Sequence, residues 1–284
     1  MSHRTLITAE SLAGLLGDPR LRIFDCRFDL ARPGDGRRRY LDGHLPGAVY
    51  ADLNRDLAAP VTPGSGRHPL PAPADFADWL RSRGVNRDSR VVAYDDGNGM
   101  YAARLWWMLR WLGHDEVAVL DGGMRRWLQL GLPLSDEVPS PSPGDFVGQP
   151  RADAVADAAA VLAATSAPSQ RVLDARAPER YRGEVEPIDA VAGHVPGAGN
   201  HPFGLSLDAQ GGFLDPEELR GALAASLAGT SPDRVIAMCG SGVSACHLLL
   251  ALEHAGLRGA RLYPGSWSEW SSDPARPVRT GAEP

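Results

Sequence analysis

A chain of 284 residues has room for two ordinary domains or one large one. Apolar residues make up 43% and charged residues 23%, values of a globular protein with a real core, and 29 basic against 35 acidic residues leave a net charge of −6. A fold-wide attraction for nucleic acid or anionic membrane is therefore not expected, which leaves room only for a local basic pocket.

No apolar run approaches the roughly 18 residues of a membrane span, and residues 1–6 lack the long apolar segment of a signal peptide. Cys26, Cys239 and Cys246 are too few and too scattered for a disulfide scaffold or a four-ligand zinc site. The expected setting is reducing and cytoplasmic.

In chain order, the first apolar run is Ile23-Phe24-Asp25-Cys26-Arg27, followed by the turn Gly43-His44-Leu45-Pro46-Gly47-Ala48. Helical spacing covers residues 76–83 and 102–112, on either side of the run Val91-Val92-Ala93-Tyr94. Residues 138–152 open as Val138-Pro139-Ser140-Pro141-Ser142-Pro143-Gly144-Asp145, which sustains neither helix nor central strand and reads as a semi-extended linker.

Beyond it the plan recurs: Val172-Leu173-Asp174-Ala175-Arg176, then Gly193-His194-Val195-Pro196-Gly197-Ala198, then Val235-Ile236-Ala237-Met238. The segment from Gly265 to Trp270 matches that from Gly122 to Trp127. Four echoes in one order describe a duplicated domain rather than a solenoid. We therefore expect domains over 1–137 and 153–284, joined by 138–152.

In the second copy, residues 171–174, 235–238 and 260–263 read as strands. Asp215-Pro216-Glu217-Glu218 offers a cap, a proline and acids for a helix running towards Leu227. Ala245, Leu248, Leu249, Leu252 and Ala255 mark the apolar stripe of another helix. Strands alternating with helices imply the α/β class, with each copy a small open parallel sheet covered on both faces.

The sharpest chemical feature is Met238-Cys239-Gly240-Ser241-Gly242-Val243-Ser244, where an apolar strand meets a cysteine, a two-glycine loop and a helix start. Open α/β sheets bind ligands at the carboxyl ends of their strands. A curled loop with inward N–H groups surrounds the sulfur with positive potential and favours the thiolate. Cys239 is therefore the expected nucleophile, whereas Cys246 falls on the following helix and reads as core.

The first copy carries Asp95 at the corresponding place, an aspartate that supplies its own charge to the loop and no sulfur chemistry. Gly97-Asn98-Gly99-Met100-Tyr101-Ala102 fits a dinucleotide fingerprint, but a loop–helix turn shared by both copies explains its glycines more simply. A cysteine phosphatase needs an arginine six positions after its nucleophile, and that position is Ala245. Arg176, Arg180 and Arg182 are candidates for holding an anion. His44 and His194 read as structural, and His68 as a residue that could reach the Cys239 loop.

Together the two Gly-His-x-Pro-Gly turns, Asp121-Gly122-Gly123-Met124-Arg125-Arg126-Trp127, the linker, Arg180-Tyr181-Arg182-Gly183 and the cysteine loop resemble the tandem-domain rhodanese and 3-mercaptopyruvate sulfurtransferase family. The resemblance implies two rhodanese-like domains, the first catalytically silent, and a sulfurtransferase that carries sulfur as a Cys239 persulfide without metal or organic cofactor. It further implies a small anionic sulfur donor and a thiol, cyanide or thioredoxin-like acceptor, with no nucleic-acid or membrane partner.

The loop residues Gly240, Ser241, Gly242, Val243 and Ser244 resemble the mercaptopyruvate type, because thiosulfate enzymes place basic residues after the cysteine. Arg180 carries over as the substrate-anion arginine and Ser241 as a substrate-binding hydroxyl. A serine–histidine–aspartate relay would draw on Ser241 and His68, with Asn54 standing where the family has aspartate. Where some members carry a second arginine, this chain reads Val185-Glu186-Pro187-Ile188-Asp189. A thiosulfate:cyanide sulfurtransferase and a non-catalytic persulfide carrier or sensor are the alternatives.

Overall fold

The computed structural model describes residues 4–284. The chain divides into two compact units, and the division does not follow sequence order: the first takes the chain up to Ala59, Pro71–Arg151 and Ala209–Phe213, and the second takes Pro60–Leu70, Ala152–Asp208 and Leu214–Pro284. The expected boundary near residue 137 thus misses the stretch Pro60–Leu70, which packs with the second unit. The proline-rich stretch runs along the first unit without helix or strand. Gly144 N–H donates to Arg81 O, Phe146 N–H to Val85 O and Arg151 N–H to Trp111 O.

The first unit runs β1 (Leu6–Ile7), α1 (Ala9–Ala13), β2 (Leu21–Asp25), α2 (Asp35–Asp42), β3 (Ala48–Tyr50), α3 (Pro73–Ser82), β4 (Arg90–Tyr94), α4 (Ala102–Trp111), β5 (Val117–Leu120) and α5 (Gly123–Gln129). Its five strands are all parallel, in the order β1-β5-β4-β2-β3. The inner strands read Val91-Val92-Ala93 and Val117-Ala118-Val119, buried throughout, as a sheet covered on both faces requires. One core cluster joins Ile7, Leu12, Ile23, Val92, Leu120 and Trp127.

The second unit continues with α6 (Ala158–Thr165), β6 (Arg171–Asp174), α7 (Pro178–Tyr181), β7 (Gly199–Asn200), α8 (Pro216–Leu227), β8 (Val235–Met238), α9 (Ser244–His254), β9 (Arg261–Leu262) and α10 (Ser266–Trp270). Its parallel sheet is ordered β7-β6-β8-β9, and a single parallel bridge from Val155 to Leu262 stands where β1 stands in the first unit.

Local chemistry sets the helix starts. Asp157 accepts from Ala160 N–H, and Asp215 accepts from Glu217 and Glu218 N–H, with Pro216 at the first helical position. Val161, Val172, Ile236, Trp267 and Trp270 pack in the core of this unit. The strand expected over 260–263 is two residues long because only Ile236 and Ala237 of β8 pair with it. No helix among the described residues is long and apolar enough to cross a membrane.

Candidate active site

β8 lies between β6 and β9 and is buried at every position, so its carboxyl end opens in the interior of the sheet edge where α/β proteins bind ligands. The chain leaves β8 at Cys239, curls through residues 240–243, and enters α9 at Ser244. Gly242 has φ +78°, and a side chain there would meet Pro264 O at 2.6 Å, so this turn needs glycine. The turn aims the Gly242 amide back at the nucleophile candidate, and its N–H donates to Cys239 Sγ at 3.2 Å.

Cys239 is 2% exposed. Its own N–H donates to Ser266 Oγ at 3.1 Å, and its carbonyl accepts from Trp267 N–H at 2.9 Å. Ser268 N–H donates to Gly240 O at 3.0 Å, so the start of α10 pins the loop from one side. Ser266 adopts φ +54°, left-handed backbone that is uncommon for a residue with a side chain. Its hydroxyl also donates to Tyr263 O, which fixes the oxygen that receives the Cys239 amide. Sequence reasoning did not single out Ser266; the signal was that Gly265-Ser266 replaces Gly122-Gly123 of the first copy.

The segment Pro60–Leu70 supplies the next groups. Gly66 lies so close to Gly265 that an added Cβ would come within 2.5 Å of its carbonyl oxygen, and Arg67 N–H donates to Ser268 Oγ at 3.0 Å. This places buried His68 with Nδ1 2.7 Å from Ser241 Oγ. The two residues linked by the resemblance thus meet; Asn54 belongs to the first unit, and its N–H donates to Asp52 Oδ1.

The three candidate arginines separate. Arg176 is buried, donates to Asp174 Oδ2 at 2.6 Å and Gly193 O at 2.7 Å, and lies 4.7 Å over the Trp267 ring. Arg182 pairs with Glu184 in solvent. Arg180 alone reaches the loop: a Cβ on Gly240 would lie 3.4 Å from its Nη1. Arg180 donates to Glu186 Oε1 at 2.6 Å and to Asp189 Oδ2 at 3.3 Å. Burial raises the Glu186 carboxyl, but Arg180 and the amides of Asp189 and Ile188 outweigh it and hold the group below its ordinary range.

Arg67, which sequence reasoning passed over as a neighbour of His68, also reaches the loop, its Nη2 2.9 Å from the same Gly240 Cβ point. Arg67 pairs with Asp189.

The first unit shows the same loop with a carboxylate at its centre. Asp95 Oδ1 accepts from Gly97 and Gly99 N–H at 3.0 and 2.9 Å, and Oδ2 from Tyr101 and Ala102 N–H at 2.9 and 3.3 Å. Burial raises this carboxyl against the pull of those four amides. The other cysteines are buried: Cys246 Sγ donates to Gly242 O, and the Cys26 thiol is pushed up by burial and by Asp25. His44 and His194 stack on Tyr40 and Tyr181 and have both ring nitrogens near backbone carbonyls, the structural role expected of them.

The rhodanese-like domain model matches residues 8–130 and again 157–273. The chain belongs to the rhodanese-like family as a tandem of two such domains. It is 53% identical to the probable 3-mercaptopyruvate sulfurtransferase of Pseudomonas aeruginosa, over 99% of this chain and 100% of that one. It is 46% identical to the putative thiosulfate sulfurtransferase SseB of Mycobacterium tuberculosis, over 98% of each chain. The crystal structure of SseA, a 3-mercaptopyruvate sulfotransferase from Escherichia coli, matches with a TM-score of 0.81 at 35% identity, covering 93% of this chain and 99% of that one. With such relatives along its whole length, the chain is an enzyme of the sulfurtransferase class.

Proposed function

We propose that the protein is a 3-mercaptopyruvate sulfurtransferase working through a persulfide on Cys239. The observation that carries this reading is the Cys239 loop: a sulfur at a strand end receives the Gly242 N–H, and guanidinium groups stand over Gly240. The Cys239 thiolate attacks the donor sulfur. An S–S bond forms, the C–S bond breaks, and its electron pair passes to carbon as the pyruvate enolate, which takes a proton to become pyruvate. Ser241, with His68 2.7 Å behind its hydroxyl, holds a proton beside the leaving carbon.

The outer sulfur then passes to a thiolate, cyanide or a thioredoxin-like protein, returning the Cys239 thiolate. Two half-reactions through one covalent intermediate give ping-pong kinetics, and the scheme requires neither metal nor organic cofactor. Arg180 takes the donor anion. The first domain is catalytically silent, because Asp95 occupies its loop. Three free, buried cysteines suit a reducing cytoplasmic setting.

Thiosulfate as donor is the second reading, favoured by the thiosulfate names of some relatives and by the stretch Val185 to Asp189, which carries no second arginine. Measuring kcat/KM for the two donors side by side, with intact-mass detection of one added sulfur on Cys239, tests the assignment. Thiosulfate turnover exceeding that of mercaptopyruvate overturns the donor, and absence of the sulfur adduct overturns the persulfide.

A further inference from the structure

The charged groups around the Cys239 loop are balanced. Arg176 is committed to Asp174, Arg180 to Glu186, and Arg67 to Asp189, whose other carboxylate oxygen is 3.3 Å from Arg180 Nη2. Three guanidiniums face three carboxylates, so the cluster offers an incoming anion no surplus charge. The Asp189 side chain is only 7% exposed, and it bridges the two guanidiniums that flank the Gly240 Cβ point at 2.9 and 3.4 Å. A carboxylate between two guanidiniums beside a nucleophile is the arrangement that a bound carboxylate donor would make.

We propose that Arg67 is the second anion-binding residue of the donor site, and that Asp189 is an internal carboxylate occupying the Arg67–Arg180 clamp until the donor displaces it. The proposal rests on the sulfurtransferase reading of Cys239 and extends it to donor selection. Arg67 is supplied by the segment Pro60–Leu70, fixed by its own N–H on Ser268 and by the close approach of Gly66 to Gly265. The clamp therefore has one jaw on that segment and one on α7. Asp189 lowers donor affinity at rest, and it keeps two guanidiniums neutralised and positioned when no donor is present.

The test uses the intact protein and two alkylating reagents that differ in charge. Iodoacetate carries a carboxylate and iodoacetamide does not, so the ratio of their rate constants at Cys239, mapped by mass spectrometry, reads the clamp without sulfur chemistry. The amide reagent corrects for changes in thiolate reactivity or folding. Removing one partner of a close charge pair at a partly exposed site corresponds to about a tenfold change.

Arg67→Met should lower the ratio about tenfold, and Asp189→Asn should raise it severalfold with a steeper fall in salt. KM for the anionic donor should follow in the opposite sense, with kcat changed less than twofold. An unmoved ratio in Arg67→Met, or a ratio lowered by Asp189→Asn, overturns the clamp. Failure of the wild-type protein to turn over mercaptopyruvate overturns the donor assignment alone, since the alkylation ratio still reports on Arg67 and Asp189.

Discussion

Asp95→Asn separates the scaffold role of the first loop from the chemistry of the second. The aspartate accepts four amides with two oxygens, two on each, in a site 1% exposed. Asparagine keeps one acceptor oxygen and turns an NH2 group towards two backbone N–H donors. Two hydrogen bonds to a charged acceptor are lost, about 1.5–3 kcal/mol each. Burial already raises this carboxyl, so removing its charge returns part of that loss, leaving a net cost of about 2–4 kcal/mol.

The first unit should then melt on the order of 10 °C lower, read by differential scanning calorimetry at neutral pH. Sulfur transfer per folded molecule at 25 °C should stay within about twofold of wild type, since Asp95 belongs to the first unit and the Cys239 loop to the second. An unshifted melting temperature refutes the amide-cradle argument. A fall in turnover comparable to that of a Cys239 variant, in folded protein, refutes the silent first domain.

Three further outcomes are expected. Cys239→Ala abolishes transfer and the added sulfur seen in intact-mass spectra, while Cys26→Ala and Cys246→Ala keep both; an equal adduct on the Cys239→Ala protein defeats the assignment. Ser241→Lys places a cation in a loop that has none and should raise kcat/KM for thiosulfate relative to mercaptopyruvate; an unmoved ratio in folded protein means that the loop does not set donor choice.

His201 is buried against Ser226 Oγ, and desolvation lowers its imidazole from 6.5 to about 4. The unfolded chain binds a proton below pH 6.5 that the folded chain refuses, so the stability it contributes is present above 6.5 and lost as pH falls through 4. The loss is on the order of 3 kcal/mol. His201→Gln should flatten the dependence of the urea midpoint on pH over that window; identical slopes in both proteins count against the neutral buried ring.

Most of the fold was legible because duplication doubles every signal. The cap at Asp215, the strand Val235–Met238 and the helix after Gly242 each follow from short-range chemistry: a side chain that accepts amides, a buried β-rich run, and a glycine at positive φ. The nucleophile candidate was legible for the same reason, since the strand, cysteine and loop are contiguous. The assembly around it was not. His68 was legible only through the family resemblance, and Arg67 not at all, because both are brought to the loop by a packing contact of Gly66 on Gly265 that no local pattern marks. Of three arginines in one short stretch, only three-dimensional pairing reveals that Arg176 serves Asp174 and Gly193 while Arg180 faces the loop.

The duplicated pairs also say which residues the chemistry does not need. Arg27 holds Asp25 and Gly43 O in the first unit as Arg176 holds Asp174 and Gly193 O in the second, at matching distances of 2.6 and 2.7 Å. Tyr40 stacks on His44 as Tyr181 stacks on His194, and Trp127 donates to Pro133 O as Trp270 donates to Pro277 O. A role performed identically beside Asp95 and beside Cys239 is a scaffold role, which removes Arg176, His194 and Trp270 from the list of reacting groups. What differs around the loop is its centre and the groups laid over it: a thiol in place of a carboxylate, Ser266 in place of Gly123, and the facing Arg67, His68, Arg180 and Asp189. In the first unit the loop amides converge on a side-chain carboxylate that four of them already saturate; in the second the Gly242 amide points at a sulfur, which on the proposed reading gives its electron pair to the donor.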